Sequence, residues 1–143
     1  MTTAQTAPWR FSTPVLGPIS HVVLTVRDID ASIPWYTALT GTAPVLDEDT
    51  GTFRHALFAL GGTLLGLHSF PESIDELPFS PRRLGLDHVA FACADRDELV
   101  AWGRRLTEMG VRHSEIVDAH YGCALSFRDP DGLPLEVFCP PGS

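Results

Sequence analysis

The chain nearly repeats itself, and that constrains its fold more than any other feature. The stretch Ile19-Ser20-His21-Val22-Val23-Leu24-Thr25-Val26-Arg27-Asp28 is matched by Leu86-Asp87-His88-Val89-Ala90-Phe91-Ala92-Cys93-Ala94-Asp95. In each copy a histidine opens a β-rich run and an aspartate stands seven positions later. Such a period means two copies of one supersecondary unit, neither able to bury its apolar face alone.

Beyond these runs the two halves stay matched. Asp28 or Asp30 is placed to cap a first helix whose Ile29, Ile33, Tyr36 and Leu39 keep near-helical spacing, with Gly41 as its stop. Pro34 fits there only if the helix begins close to Asp30, because a proline further in removes a helix hydrogen bond. Asp95 or Asp97 caps the second helix, which carries Leu99, Trp102, Leu106 and Met109 on one face and ends at Gly110. Three short strands complete each unit. In the first they fall at 43–47, 52–60 and 63–69, with Gly61-Gly62 as a hairpin turn; in the second they fall at 113–117, 124–128 and 133–138. Asp129-Pro130-Asp131-Gly132 supplies a turn in which proline presets φ and glycine accepts the positive φ. Residues 70–85, with Pro71, Pro78 and Pro81, read as a linker. The expected class is α+β: two tandem βαβββ modules, 19–69 and 86–140, whose mixed sheets curl into a cup within one domain of residues 19–140. A concave cup suits a small-molecule site. Residues 1–18 read as a flexible tail with Trp9 and Phe11 as docking points, and no secretory leader is expected.

Composition narrows the partners. A net charge of −8, with ten basic residues scattered along 143, repels phosphate backbones and argues against nucleic acid. No apolar run approaches the roughly eighteen residues of a membrane-spanning helix, so no membrane partner is expected. Cys93, Cys123 and Cys139 are odd in number and form no CxxC pair, which points to reduced thiols and a cytoplasmic address.

The chemistry lies at the strand starts and in the last strand. Glu136 sits among Leu133, Pro134, Leu135, Val137 and Phe138, where an unpaired buried carboxylate would cost several kcal/mol, so a cation is expected beside it. Two-residue periodicity puts His21 with Val23 and Thr25, and His88 with Ala90 and Ala92, on equivalent faces. Two imidazoles and one carboxylate from matching positions make a facial set for a first-row divalent ion with open coordination positions. Single histidines opening strands are commonly just solvated, and it is the matched pair with Glu136 that favours a metal.

The His21-to-Asp28 and His88-to-Asp95 runs, the Asp129-Pro130-Asp131-Gly132 turn and Leu135-Glu136-Val137 together resemble the vicinal oxygen chelate superfamily. That group includes glyoxalase I, extradiol dioxygenases, fosfomycin-resistance transferases, methylmalonyl-CoA epimerase and bleomycin-resistance proteins. The resemblance covers residues 19–140 and implies metal positions at His21, Gly66, His88 and Glu136. Gly66 departs from glyoxalase I and the epimerase, which carry a fourth ligand there. Val23 and Ser126 depart from the threonine and tyrosine of fosfomycin-type enzymes. The resemblance implies a metal-dependent enzyme, of dioxygenase or lyase/isomerase type, acting on a small oxygenated molecule with Fe(II) or Mn(II), or else Ni(II) or Zn(II). The alternative is a drug-binding protein of the bleomycin-resistance type, without catalysis. A homodimer is expected. His68, two residues beyond Gly66, is a candidate acid/base or extra ligand, and Tyr121, near the mouth, a second catalytic candidate. His55 shares a face with Leu57 and Ala59 that either lines the cup or packs elsewhere. His113 and His120 flank the sixth strand and its loop, and Trp35 and Tyr36 read as packing.

Overall fold

A computed structural model describes residues 14–72 and 77–142. Trp9 and Phe11 lie outside the described residues. The elements run β1 (His21–Thr25), α1 (Ile29–Thr40), β2 (Leu46–Asp49), β3 (Arg54–Leu60) and β4 (Thr63–Ser69). The second set is β5 (Val89–Ala92), α2 (Arg96–Glu108), β6 (Val117–Ala119), β7 (Gly122–Arg128) and β8 (Pro134–Cys139). Both modules are βαβββ, as the repeat requires. Each forms a four-stranded mixed sheet of the same order: β1-β4-β3-β2 in the first and β5-β8-β7-β6 in the second. In each, the first strand runs parallel to the last and the others are antiparallel.

Local chemistry fixes the helix ends. The Asp28 side chain accepts from the Asp30 N–H, and Gly41 closes α1 at φ 75°. The Asp95 side chain accepts from the Glu98 N–H, while the Glu98 carboxylate accepts from the Ala94 N–H at 2.6 Å, a reciprocal cap. The helix begins at Ile29, close to Asp30 as Pro34 requires, which leaves Pro34 just past the first turn. The proline is tolerated because it and Asp30, whose carbonyl loses a donor, face solvent.

β3, β7 and β8 begin one or two residues from the positions the pattern predicts, and two strands differ by more. β2 starts at Leu46 rather than residue 43, since Pro44 has no N–H to give the ladder. β6 is confined to Val117–Ala119, whereas the pattern predicts 113–117. His113 makes only an isolated bridge to Phe127, and the Ser114 hydroxyl accepts from the Ser126 N–H in place of a backbone carbonyl.

The core lies between each sheet and its helix. Leu24, Val26, Ala56, Phe58, Leu65 and Leu67 pack with Ile29, Tyr36 and Leu39 of α1, while Leu125, Phe127, Leu135, Val137 and Cys139 pack with Leu99 and Leu106 of α2. The two halves join in one cluster. The Tyr36 hydroxyl donates to Asp129 Oδ2 at 2.8 Å in the interior, and Asp129 Oδ1 accepts from the N–H groups of Asp131 and Leu133. The Arg27 N–H donates to Asp131 Oδ2, and the Arg105 guanidinium to the Ala38 carbonyl. The opposite sheet faces stay open: Val23, Thr25 and Ala59 on the first sheet and Ala90, Ala92 and Ser126 on the second are exposed.

Candidate metal centre

His88 precedes β5, and Glu136 stands on β8 opposite Ala90. Strand parity sends Leu135 and Val137 into the core and Glu136 to the open face. Its side chain is therefore 21% exposed rather than enclosed among aliphatic neighbours. His88 Nε2 lies 3.9 Å from Glu136 Oε2, too far for a hydrogen bond. Two donors about 2.1 Å from a shared ion lie at most about 4.2 Å apart, so the two groups are within reach of one divalent cation, and a facial geometry would draw them closer, to about 3 Å.

The neighbour of His88 favours the metal-binding form of its imidazole. His88 Nδ1 is 2.7 Å from Asp87 Oδ1, which holds the proton on Nδ1 and leaves the Nε2 lone pair facing Glu136. His21 likewise turns Nδ1 to the Ser20 hydroxyl at 2.8 Å and leaves Nε2 without a partner among the described residues. Both orienting residues immediately precede a repeated histidine. The repeat thus places a polar side chain against Nδ1 of each strand-opening histidine, a contact that a search for ligand-type residues alone misses.

His21 does not join the pair within one chain. It belongs to the first sheet, and among the described residues no three His, Cys, Asp or Glu side chains gather as a metal group. Gly66 offers no ligand either. A Cβ there would meet Val23 Cγ2 at 3.0 Å and Leu57 Cδ2 at 3.1 Å, so apolar side chains fill that position.

The other candidates fall elsewhere. His68 lies on the open face of β4, opposite Thr25 on β1 and His55 on β3. Burial, and then the adjacent His55, lower its pKa, which favours the neutral ring. His55 therefore shares the open face with His68 instead of packing in the core. Tyr121 is 64% exposed in the β6–β7 turn and stands edge-on to His120. Ser126, the residue paired with Glu136, lies roughly 13 Å further along β7. His113 binds the Thr107 hydroxyl and the Ser114 carbonyl, which ties down the end of α2. Burial pushes the Cys93 thiol up to about 11, which keeps it protonated and a poor ligand. Between the modules runs a cleft of about 510 Å³, lined by Val22, Leu39, Leu65, Val89, Phe91 and Trp102 among others and by no titratable side chain. It does not coincide with the His88–Glu136 pair.

No helix among the described residues is long and apolar enough to cross a membrane. Residues 18–137 match the model of the Glyoxalase/Bleomycin resistance protein/Dioxygenase superfamily. The chain is 34% identical over 129 residues to the metallothiol transferase FosB of Shouchella clausii, covering 86% of this chain and 80% of that protein. It is 31% identical over 134 residues to MhqA of Bacillus subtilis, which carries the name of a ring-cleaving dioxygenase. That match takes in 91% of this chain but only 41% of MhqA, so the chain spans less than half of that relative. Among solved structures, a glyoxylase/bleomycin resistance protein/dioxygenase domain from Frankia sp. EAN1pec superposes with a TM-score of 0.81 at 29% identity, over 90% of this chain and 96% of that one. With its paired sheets and matched strand-opening histidines, the chain belongs to the Glyoxalase/Bleomycin resistance protein/Dioxygenase superfamily, the vicinal oxygen chelate group.

Proposed function

We propose that this protein is a divalent-metal-dependent enzyme acting on a small oxygenated organic molecule, of dioxygenase or lyase type. In this reading the ligands are His88 and Glu136 of one chain and His21 of a second copy. The observation that carries it is the His88–Glu136 gap of 3.9 Å, with Asp87 fixing the imidazole so that Nε2 faces the carboxylate. A divalent ion bound there supplies Lewis-acid polarisation of substrate oxygens and, in the case of iron, a redox centre. The chain's own residues do the rest. Glu136 and the two histidines hold one side of the site and leave the other open, and Asp87 and Ser20 orient the imidazoles. His68, half-buried on the same open face as His21, exchanges a proton with a substrate hydroxyl remote from the metal rather than with the oxygens nearest it. If it were merely packed, its substitution would leave the pH–rate profile unchanged.

The relatives' names support metal or oxygen chemistry but diverge on the reaction. FosB is named as a transferase and MhqA as a ring-cleaving enzyme. The test is metal analysis of protein purified without chelators, followed by Fe(II) and Mn(II) titration of wild type and His88→Ala. Stoichiometric binding lost in His88→Ala supports the proposal. No stoichiometric metal in wild type sinks it. A ligand bound equally well by wild type and His88→Ala would indicate a binding protein without catalysis.

A further inference from the structure

Away from the metal pair, one end of the first sheet gathers four rings on its open face. His55 and His68 stand directly opposite on β3 and β4, with ring centroids 5.5 Å apart at 90°. Phe53 stacks on His68 at 4.6 Å and 18°, and meets His55 edge-on at 5.3 Å. Phe70 closes the far side, 6.3 Å from His68 and 6.1 Å from Phe53. Nothing in the core requires this arrangement, since the helix-facing neighbours Ala56 and Leu67 are already fully buried.

The polar groups are disposed for a ligand. Glu48 on β2 pairs with His55, and its Oε1 lies 2.6 Å from His55 Nε2, a close carboxylate–imidazole contact that fixes that ring. His68 is different: neither ring nitrogen has a hydrogen-bond partner among the described residues. A half-buried neutral imidazole, flanked by rings and held edge-on to an anchored neighbour, can still accept one hydrogen bond and donate another. Of the β2 carboxylates only Glu48 shares this face; Asp47 and Asp49, one residue to either side, turn to the helix side, where Arg54 bridges Asp47 and Asp30. Glu48 sets a negative charge beside the rings and so disfavours carboxylates and phosphates.

We propose that Phe53, His55, His68 and Phe70 form a subsite for an uncharged aromatic ring bearing a hydroxyl, which donates its hydrogen bond to His68. The phenyl side chains supply offset or edge contacts to the ring. Glu48 and His55 are positioning residues that hold His68 in place. His21 lies on the same face, and its register partner Leu64 is four residues from His68, roughly 13 Å along the strand. The subsite therefore takes the part of the substrate remote from the metal and selects its ring. As a statement about substrate, this rests on the metal-enzyme reading, but the binding it describes needs no metal.

The experiment is titration of metal-free full-length protein with phenol, following the histidine ring resonances by NMR, with benzoate as the anionic counterpart. Phenol should shift the His68 signals most, and benzoate should shift none. Phe53→Leu should weaken phenol binding about tenfold, the scale of one lost aromatic pair. Phe70→Leu, at an exposed site where folding is not at stake, should weaken it in the same direction. Glu48→Gln should alter the His55 nitrogen shifts and weaken phenol binding without changing metal content. Phenol that leaves His68 unmoved overturns the proposal, as do unchanged affinity in both phenylalanine variants and equal binding of benzoate. Intact metal binding alongside any of those results would sink the subsite alone. A protein that binds phenol at His68 but no metal would keep the subsite and lose the enzyme reading.

Discussion

Asp87 is exposed, yet its carboxylate, 2.7 Å from Nδ1, decides which nitrogen of His88 is free. Groups that orient a metal-binding imidazole typically matter about ten- to a hundredfold for metal affinity. Asp87→Asn is expected to weaken Mn(II) binding by about that factor, measured by calorimetric titration, with the urea midpoint unchanged. The Tyr36–Asp129 contact acts on stability instead. Tyr36 is fully buried, so Tyr36→Phe strands a carboxylate oxygen and should cost about 1–3 kcal/mol in urea unfolding. Burial raises the Asp129 pKa, only partly offset by the Leu133, Tyr36 and Asp131 hydrogen bonds. With the folded value above the unfolded one, its contribution is fully present below the unfolded pKa and is lost as pH rises through the folded pKa. Relative to Asp129→Asn, wild type should therefore lose unfolding free energy as pH climbs above about 4, read from urea curves across that range.

At the scale of elements, two glycines give opposite expectations. Gly122 opens β7 at φ 146°, and a Cβ there would run into the Cys139 carbonyl and the Phe138 ring. Gly122→Ala should cost roughly 2–4 kcal/mol. Gly103 lies inside α2, where a Cβ meets only His113 Cε1 at 3.7 Å, so Gly103→Ala should gain about 1 kcal/mol. Chemical denaturation of the two variants side by side checks both signs. The same contrast explains what could be read from the chain. Periodicity and capping residues gave both helices, both first strands and the parity that faces Glu136 and His88 the same way, because those signals are local. The late start of β2 and the shortened β6 were not legible, since they depend on which backbone groups the neighbouring strand accepts. His55 was ambiguous for the same reason. Its face was clear, but its neighbours Glu48 and Phe53 are brought to it by strand pairing.

For the whole molecule, the question is where His21 finds the other two ligands. If two copies share each site, His21→Ala and Glu136→Ala should each lose metal, and an equal mixture exchanged through unfolding should recover about a quarter of the wild-type content. Half the dimers would then be mixed, each with one intact site. Metal analysis after gel filtration reads this directly, and recovery of none would mean that the ligands do not meet across chains. Such sharing would also cover the open sheet faces that a lone chain leaves to water.

The crowding at Gly66 has a historical consequence. For a chain descended from duplicated halves, one base change looks enough to regain a lost ligand, but side chains from two adjoining strands already occupy the room that a carboxylate stem needs. Gly66→Glu asks the Val23 and Leu57 side chains to give by a few tenths of an ångström, so a smaller residue at either position eases it, and the order of substitution affects how readily a ligand-type side chain can enter here.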